Sequence, residues 1–401
     1  MFPKKNVFLH QNRLIMRLFH SALVLVATLS FLCPANAQGQ KGWASRTLDR
    51  ILAPSRELEP NAFYVPVPRW TFALTGDLRQ ATFSQVQEFF LLSAKLSPSG
   101  EMIIEETPVN LSANVRGKIS TGIGVQVGFG DLSLSLSRNL GGEGKDHVFS
   151  FDYQSAGYAL QAQYFSHSAP VDYHQTCAEE GHWAYRDEDG VTEKPGLLRS
   201  LLVDGFYAFN RRTFAYSAAY RGTLFQKRSA GSWMFGTKLI LGEYRIDPEE
   251  EFAHWLNGQA RQTTAQVSFG GGYSYNLVPF HRQPSGERDK GLRNLTINLT
   301  LLPMVTLFNQ FTATAYNDLA DGVYTRVDKV VRNGKLQVNY VARIGIGYTY
   351  NLFSINLSAS NNDYSYRGIS SITYGGYVSN NVKTEGNYFR WTTTLRLGMR
   401  F

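Results

Sequence analysis

Groups that do covalent chemistry are scarce in this chain, which holds eight His and two Cys in 401 residues. His167-Ser168 is the adjacent base–nucleophile pair past residue 37. A hydroxyl nucleophile needs a base within hydrogen-bond reach, so this pair is the candidate for lipid hydrolysis; the plainer reading is two polar residues at a strand end. His174, Cys177 and His182 follow a His-x2-Cys-x4-His spacing. These are soft-metal ligand types, but no second half-site accompanies them, so no metal and no cofactor is expected. Asp247-Pro248-Glu249-Glu250-Glu251 is an acidic run that suits a solvated loop, a divalent cation or a place among lipopolysaccharide headgroups. Gly270-Gly271-Gly272 lacks the Lys-Ser/Thr of a phosphate loop and reads as packing or curvature within a strand. The chain is expected not to be an enzyme, with lipid hydrolysis as the alternative.

A second set of groups is defined by parity. Arg79, Arg221, Lys238, Arg343, Arg390, Arg396 and Arg400, with Asp77, Asp152 and Asp204, fall on the polar face of alternating segments. If these segments form a membrane barrel, the ten charges point into its lumen, because Arg or Lys on the lipid face costs about 2–4 kcal/mol at the midplane. Seven positive charges against three negative describe either a pore favouring anionic solutes or a filled lumen tied by Arg–carboxylate pairs. Both stay open at this point.

The elements that would position these charges are strands. Leu132-Ser133-Leu134-Ser135-Leu136-Ser137 alternates without a break, and similar alternation recurs at 122–129, 158–164, 214–221, 266–275, 338–350 and 353–360. One face carries Leu, Ile, Val, Phe and Tyr; the other carries Gly, Ser and Thr more than Lys and Glu. Strand spacing gives this dyad, and the Gly/Ser/Thr face suits a crowded interior better than a solvated surface. The run Asn294–Asn317 is uncharged, but its polar residues at alternate positions make it a strand rather than a membrane helix. Charged residues are 18% and aromatic ones 13% of the chain, with 36 Gly; neither disorder nor a disulfide scaffold fits.

The ends carry sorting signals. Lys4, Lys5, Arg13 and Arg17, the apolar run Ala22–Cys33 and Ala35-Asn36-Ala37 read as a secretory leader over 1–37, starting at Met1 or Met16. Its removal would take four basic and no acidic residues from a net charge of +8, leaving +4. That is weak support for a polyanion, and no nucleic acid is expected. The last strand places Phe401, Met399 and Leu397 on one face and Arg400 and Arg396 on the other. A terminal strand ending on Phe resembles the signal read by the outer-membrane barrel assembly machinery.

These features predict an all-β fold: a closed antiparallel transmembrane β-barrel of 12–14 strands over 67–401, preceded by a periplasmic segment at 38–66. The candidate strands are 70–79, 86–96, 115–129, 131–139, 146–154, 157–166, 198–209, 213–224, 230–244, 263–276, 292–307, 336–350, 351–361 and 387–401, of which 86–96 and 198–209 are weak. Turns at Tyr350-Asn351 and Gly130-Asp131 read as periplasmic; 167–197, 309–334 and 362–386 read as extracellular loops. These assignments do not all alternate, so a strand is miscounted.

The segments Pro68-Arg69-Trp70, Phe209-Asn210-Arg211-Arg212-Thr213-Phe214-Ala215-Tyr216-Ser217-Ala218-Ala219-Tyr220, Lys227-Arg228-Ser229-Ala230-Gly231-Ser232 and Gly272-Tyr273-Ser274-Tyr275-Asn276 resemble an uncharacterised family of exported barrels, a domain of unknown function common in Bacteroides-like bacteria. The resemblance spans roughly 60–401, implies a barrel and adds no catalytic residue. On its own, Phe-Asn-Arg-Arg reads as a tight hairpin turn between two strands. The expected location is the outer membrane, among lipid and lipopolysaccharide. The expected roles are a channel or transport barrel for small solutes, or a structural barrel presenting loops to a partner; the solute and any protein partner stay unknown.

Overall fold

The computed structural model describes residues 64–66, 70–116, 119–140, 145–170, 172–177, 187–222, 224–250, 259–282, 291–319, 323–332, 337–374 and 377–401. The predicted leader, 1–37, and nearly all of 38–66 lie outside these residues. In chain order come β1 (Tyr64–Pro66), β2 (Trp70–Leu96), β3 (Met102–Arg116), β4 (Ser120–Phe129), β5 (Leu132–Asn139) and β6 (Lys145–Gln154). They are followed by β7 (Tyr158–Ala169), β8 (Asp172–Cys177), β9 (Asp187–Val191), β10 (Gly196–Ala208), β11 (Leu224–Gln226) and β12 (Ala230–Arg245). The chain ends with β13 (Gln259–Arg282), β14 (Arg293–Leu319), β15 (Val323–Arg332), β16 (Gln337–Tyr350), β17 (Phe353–Tyr374) and β18 (Tyr377–Arg400).

Twelve of these strands form a closed antiparallel ring: β2, β4, β5, β6, β7, β10, β12, β13, β14, β16, β17 and β18. The seam pairs β18 with β2 from Arg400–Thr71 to Lys383–Glu88, so no edge is left open along the wall. Each strand follows its side-chain alternation, with the usual polarity of a protein reversed. In β4 the buried positions are Ser120, Gln126 and three glycines, and the exposed ones include Ile123, Val125, Val127 and Phe129. The same inversion places Leu299 and Leu301 outward and Asn298 and Thr300 inward on β14. An apolar belt this continuous is stable only against an apolar medium, and a closed barrel meets that medium without unpaired backbone groups.

Strand lengths show which parts overshoot the belt. A tilted strand crosses a bilayer in about 9–11 residues. β4, β5 and β6 have 10, 8 and 10 residues, whereas β2 and β14 have 27 each. Past the belt, β2 exchanges β4 for β3 and β14 exchanges β16 for β15. The stretches 309–334 and 362–386, expected as loops, are therefore hairpins over most of their length, formed by β14–β15 and β17–β18. Within 167–197, β8 and β9 also pair, and β8 adds to β3. At the opposite end the connections are short. Asn351 (φ 51°) and Gly130 (φ 55°) make the turns expected there, because the left-handed region is open to Gly and tolerated by Asn.

Two predicted strands fail, and their failure explains the miscount. Residues 86–96 are the upper half of β2 rather than a separate strand. Residues 213–224 are not in the wall. After β10 the chain turns at 209–213, enters the lumen, makes a single 3₁₀ turn (Tyr216–Ala218), and leaves through β11, which pairs with β1. Phe-Asn-Arg-Arg is thus a turn into the barrel, not a hairpin between two wall strands.

The plug is held by apolar packing and by donors aimed at its backbone. Phe214 and Tyr216 are buried among Phe206, Met234, Leu302, Met304 and Val341 of the wall. With only one 3₁₀ turn and the short β11 as regular structure, the plug leaves carbonyl lone pairs to be met from outside it, and an unmade buried bond is costly. Wall side chains supply donors: Asn276 to Ala215 O (2.8 Å), Asn356 to Ala219 O (3.0 Å), Asn294 to Gln226 O (2.9 Å) and Arg400 to Gly222 O (3.0 Å). Gly345 and Gly347 make room for it: a Cβ at Gly345 would lie 2.7 Å from the Tyr220 ring, and one at Gly347 would lie 2.8 Å from Ala219 O. Phe214→Ala is expected to lower stability by about 3–5 kcal/mol, as for other buried Phe truncations, read from urea unfolding of the folded barrel in vesicles; a loss below 1 kcal/mol would show that the segment is not packed inside.

Candidate functional site

All ten predicted charges face the lumen. Arg79, Asp204, Arg221, Lys238, Arg390, Arg396 and Arg400 are buried to 5% exposure or less; Asp77 and Arg343 are also buried, and Asp152 is partly so. One placement differs from expectation. Arg221 was assigned to a wall strand and is instead carried in by the plug, where it donates to the carbonyls of Asp131 and Leu132 (the latter at 2.8 Å). The assembly-signal residues lie on the other face: Leu397 and Phe401 are exposed and Met399 is half-buried.

The charges differ in what holds them. Asp77 accepts from Arg79 (2.7 Å), Ser137 (2.7 Å) and Thr394 (2.7 Å). Asp204 pairs with Arg343, whose guanidinium also reaches Gln161 and the Tyr216 hydroxyl (3.3 Å) and lies 4.8 Å from the Phe206 ring centre. That pair sits where the apolar plug contact meets the polar lumen. Lys238 donates to Asn362 (2.7 Å) and Arg390 to Gln163 (3.0 Å). Arg396 donates to Gln126 (2.5 Å), to Asn356 (3.1 Å) and to the plug carbonyl of Arg221 (2.9 Å). Among the described residues, no carboxylate lies within ion-pair distance of Arg221 or Arg396.

A cavity of about 190 Å³ lies between the plug and the walls formed by β2, β4–β7, β10 and β16–β18. Seven of the ten charges line it: Asp77, Arg79, Asp152, Asp204, Arg221, Arg343 and Arg396. The neutral groups that complete it, among them Gln126, Ser137, Gln161 and Asn356, were not singled out in the sequence. Their signal was present in parity, since each falls on the polar face of its own alternating strand. Asp204→Ala would leave the Arg343 guanidinium buried without its carboxylate. Removing one partner of a buried pair costs about 3–5 kcal/mol, and urea unfolding of the variant is expected to show a loss in that range; an unchanged unfolding midpoint would exclude the pair as a tie across the lumen between β10 and β16.

The other sequence candidates lie elsewhere. His167 and Ser168 are consecutive in β7, and consecutive strand side chains point to opposite faces, so they cannot form the proposed dyad. His174 bonds Asp189 at 2.8 Å; His182 lies outside the described residues, among which no metal-holding group of His, Cys, Asp or Glu occurs. The acidic run is a clamp between loops. Lys194 contacts Glu249 (2.6 Å) and Asp247 (3.1 Å), while Glu250 accepts from the backbone N–H groups of Glu193 (3.2 Å) and Lys194 (2.6 Å). Partial burial opposes the charge on Asp247, but the Glu249 N–H and the Lys194 ammonium outweigh it and hold the carboxyl below its usual value. Glu250→Ala is expected to speed hydrogen exchange at the Glu193 and Lys194 amides severalfold without changing the wall strands; unchanged exchange would show that the clamp does not order these loops.

No curated protein matches the chain by sequence. By structure the chain is similar to the outer membrane protease OmpT from Escherichia coli, at 10% identity and TM-score 0.31 over 86% of this chain and 100% of that one. It is also similar to a Pseudomonas aeruginosa FadL homologue (9% identity, TM-score 0.18, 83% and 90% covered) and to a mutant of the TodX monoaromatic hydrocarbon channel (9%, 0.19, 83% and 91%). At these identities, what those proteins do stays with them. The family described as a domain of unknown function, DUF4421, matches residues 93–384, from the last residues of β2 to the first of β18 and including the plug, and the chain belongs to that family.

Proposed function

We propose that this is an outer-membrane barrel closed at its periplasmic end by its own 209–229 segment, and that it is not an open diffusion pore. One observation carries this reading: Phe214, Ala215 and Ala219 of that segment are fully buried inside the ring. Rings of 16–18 strands leave an aqueous channel, while about eight are filled by side chains; twelve leave room for a chain segment, and the chain supplies one. The end with short turns is the periplasmic one, as in outer-membrane barrels generally. The hairpins of β2–β3, β14–β15 and β17–β18 then rise on the outside, among lipopolysaccharide headgroups. Phe401, Met399 and Leu397 serve as the signal to the assembly machinery. The barrel's work is then done by its lumen chamber and outer hairpins, on a solute or a partner, and not by lipid hydrolysis.

A gated transport barrel is the second reading, and one observation favours it. β11 of the plug pairs with β1, from Tyr64–Gln226 to Pro66–Leu224. A periplasmic pull on the chain before β1 would therefore act on the plug. In planar bilayers the intact protein is expected to show no steady conductance, and a variant with residues 211–227 replaced by a short Gly-Ser linker is expected to conduct. Steady wild-type channels would overturn the closed-barrel reading.

A further inference from the structure

The geometry points to the lumen chamber as a binding site for a small carboxylate that bears a neighbouring amino or hydroxyl group. This rests on the closed-barrel reading, because Tyr220 and Arg221 of the plug line the chamber. Three observations carry it.

The first is size. At about 190 Å³ the chamber is below the roughly 300–1,000 Å³ typical of sites for drug-sized ligands, yet it exceeds a single water's share of about 30 Å³ several times over. It suits a solute of a few heavy atoms.

The second is charge. Within the lining, Asp77–Arg79 and Asp204–Arg343 are internally paired. Arg221, Arg396 and Asp152 are left, and among the described residues no carboxylate is within ion-pair distance of either guanidinium. Arg221 and Arg396 are held by neutral oxygens: the Asp131 and Leu132 carbonyls for one, Gln126, Asn356, Ser354 and the Arg221 carbonyl for the other. Buried charge without a counter-charge is costly, and the carboxylate of a guest placed beside it would offset it.

The third is the placement of unused hydrogen-bonding atoms. Arg396 spends Nε and Nη1 on the wall and plug, and its Nη2 makes no hydrogen bond. Asp152 accepts from Gln161 through Oδ1 at 2.8 Å and leaves Oδ2 without a donor. Neither atom is among the fully enclosed unpartnered ones, so both are open to the chamber that their residues line. A guanidinium N–H and a carboxylate oxygen in one small cavity match a guest with an anionic oxygen group at one end and an N–H or O–H donor nearby. Amino acids and short hydroxy acids have this form.

The test is isothermal titration calorimetry of the full barrel in detergent, with L-alanine, L-lactate and acetate as probes. Saturable binding of L-alanine or L-lactate is expected, at least tenfold tighter than acetate. Arg396→Gln is expected to weaken both guests tenfold or more, and Asp152→Asn to remove the preference over acetate. Ser358→Leu, which fills the chamber without touching either charge, covers the case in which Arg396→Gln fails to fold, and is expected to abolish binding while the barrel keeps its heat-modifiable gel mobility. Absence of saturable wild-type binding would overturn the site, as would binding unchanged in Ser358→Leu. Conductance separates the two readings. A silent barrel that does not bind leaves the plug and removes the site; a conducting barrel that binds removes the plug's seal and leaves the site.

Discussion

A polar group inside this ring can find a partner only inside, because the outer face of the wall offers none. That constraint shapes the strands first. Backbone N–H and C=O groups are paired around the ring, and the seam between β18 and β2 removes the last edge. It then falls on the segment between β10 and β12, which enters the lumen with one 3₁₀ turn and the short β11 as its only regular structure among the described residues. Its carbonyls are met by Asn276, Asn294, Asn356, Arg396 and Arg400 of the wall. These Asn and Arg residues are therefore fitted to a chain, not to bulk water. Donors on a wall that read carbonyls place few demands on the plug's side chains, and those demands are met by packing: aromatic at Phe214 and Tyr216, small at Ala215, Ala218 and Ala219.

The same constraint divides the lumen in two. Toward β10–β16 the plug meets Phe206, Met234, Leu302, Met304 and Val341, and the contact is apolar. Toward β2, β4–β7, β17 and β18 it faces Ser, Gln, Asn and charged groups, and a cavity remains. Arg343 and Asp204 lie at the boundary. Their ion pair is buried beside an aromatic ring and a tyrosine hydroxyl, where Coulomb attraction is strong and an unpaired partner is expensive. A hydrophobic pair would fill that boundary as well but would not orient the Tyr216 hydroxyl. The pair's contribution is to fix where the apolar half ends.

Most of the wall was legible from the sequence because strand alternation has a period of two and the faces differ sharply in kind. Leu132–Asn139 and Gln337–Tyr350 could be read this way residue by residue. The plug was not legible for the same reason. Phe214, Tyr216, Ala218 and Tyr220 alternate with Ala215, Ser217, Ala219 and Arg221 as a wall strand would, and periodicity cannot tell a lipid-facing aromatic from a lumen-facing one. Two local signals pointed the other way: the turn-forming Asn210-Arg211-Arg212 before the segment and Gly222 (φ 63°) after it. The failed strand alternation was the global signal. Fusing 86–96 into β2 and removing 213–224 reduces fourteen candidates to twelve and restores an even ring. The ten charges were legible as inward by cost alone. Their partners were not, because Asp77 with Thr394 and Arg343 with Gln161 meet across 317 and 182 positions of sequence.

Seven positive charges against three are readable from the sequence either as a field acting on a passing anion or as a filled lumen tied by Arg–carboxylate pairs. The structure assigns much of that excess to structural work. Arg221 ties the plug to the turn after β4, Arg396 and Arg400 tie the plug from β18, and each does so through neutral carbonyls. Guanidinium suits this task, since its donors diverge in one plane and it stays charged when dehydrated. Carbonyl oxygens satisfy the N–H groups but do not cancel the charge. A lumen stitched in this way keeps a positive residue wherever stitching and solvent space meet, and here they meet at the chamber, where Arg221 and Arg396 stand opposite one carboxylate.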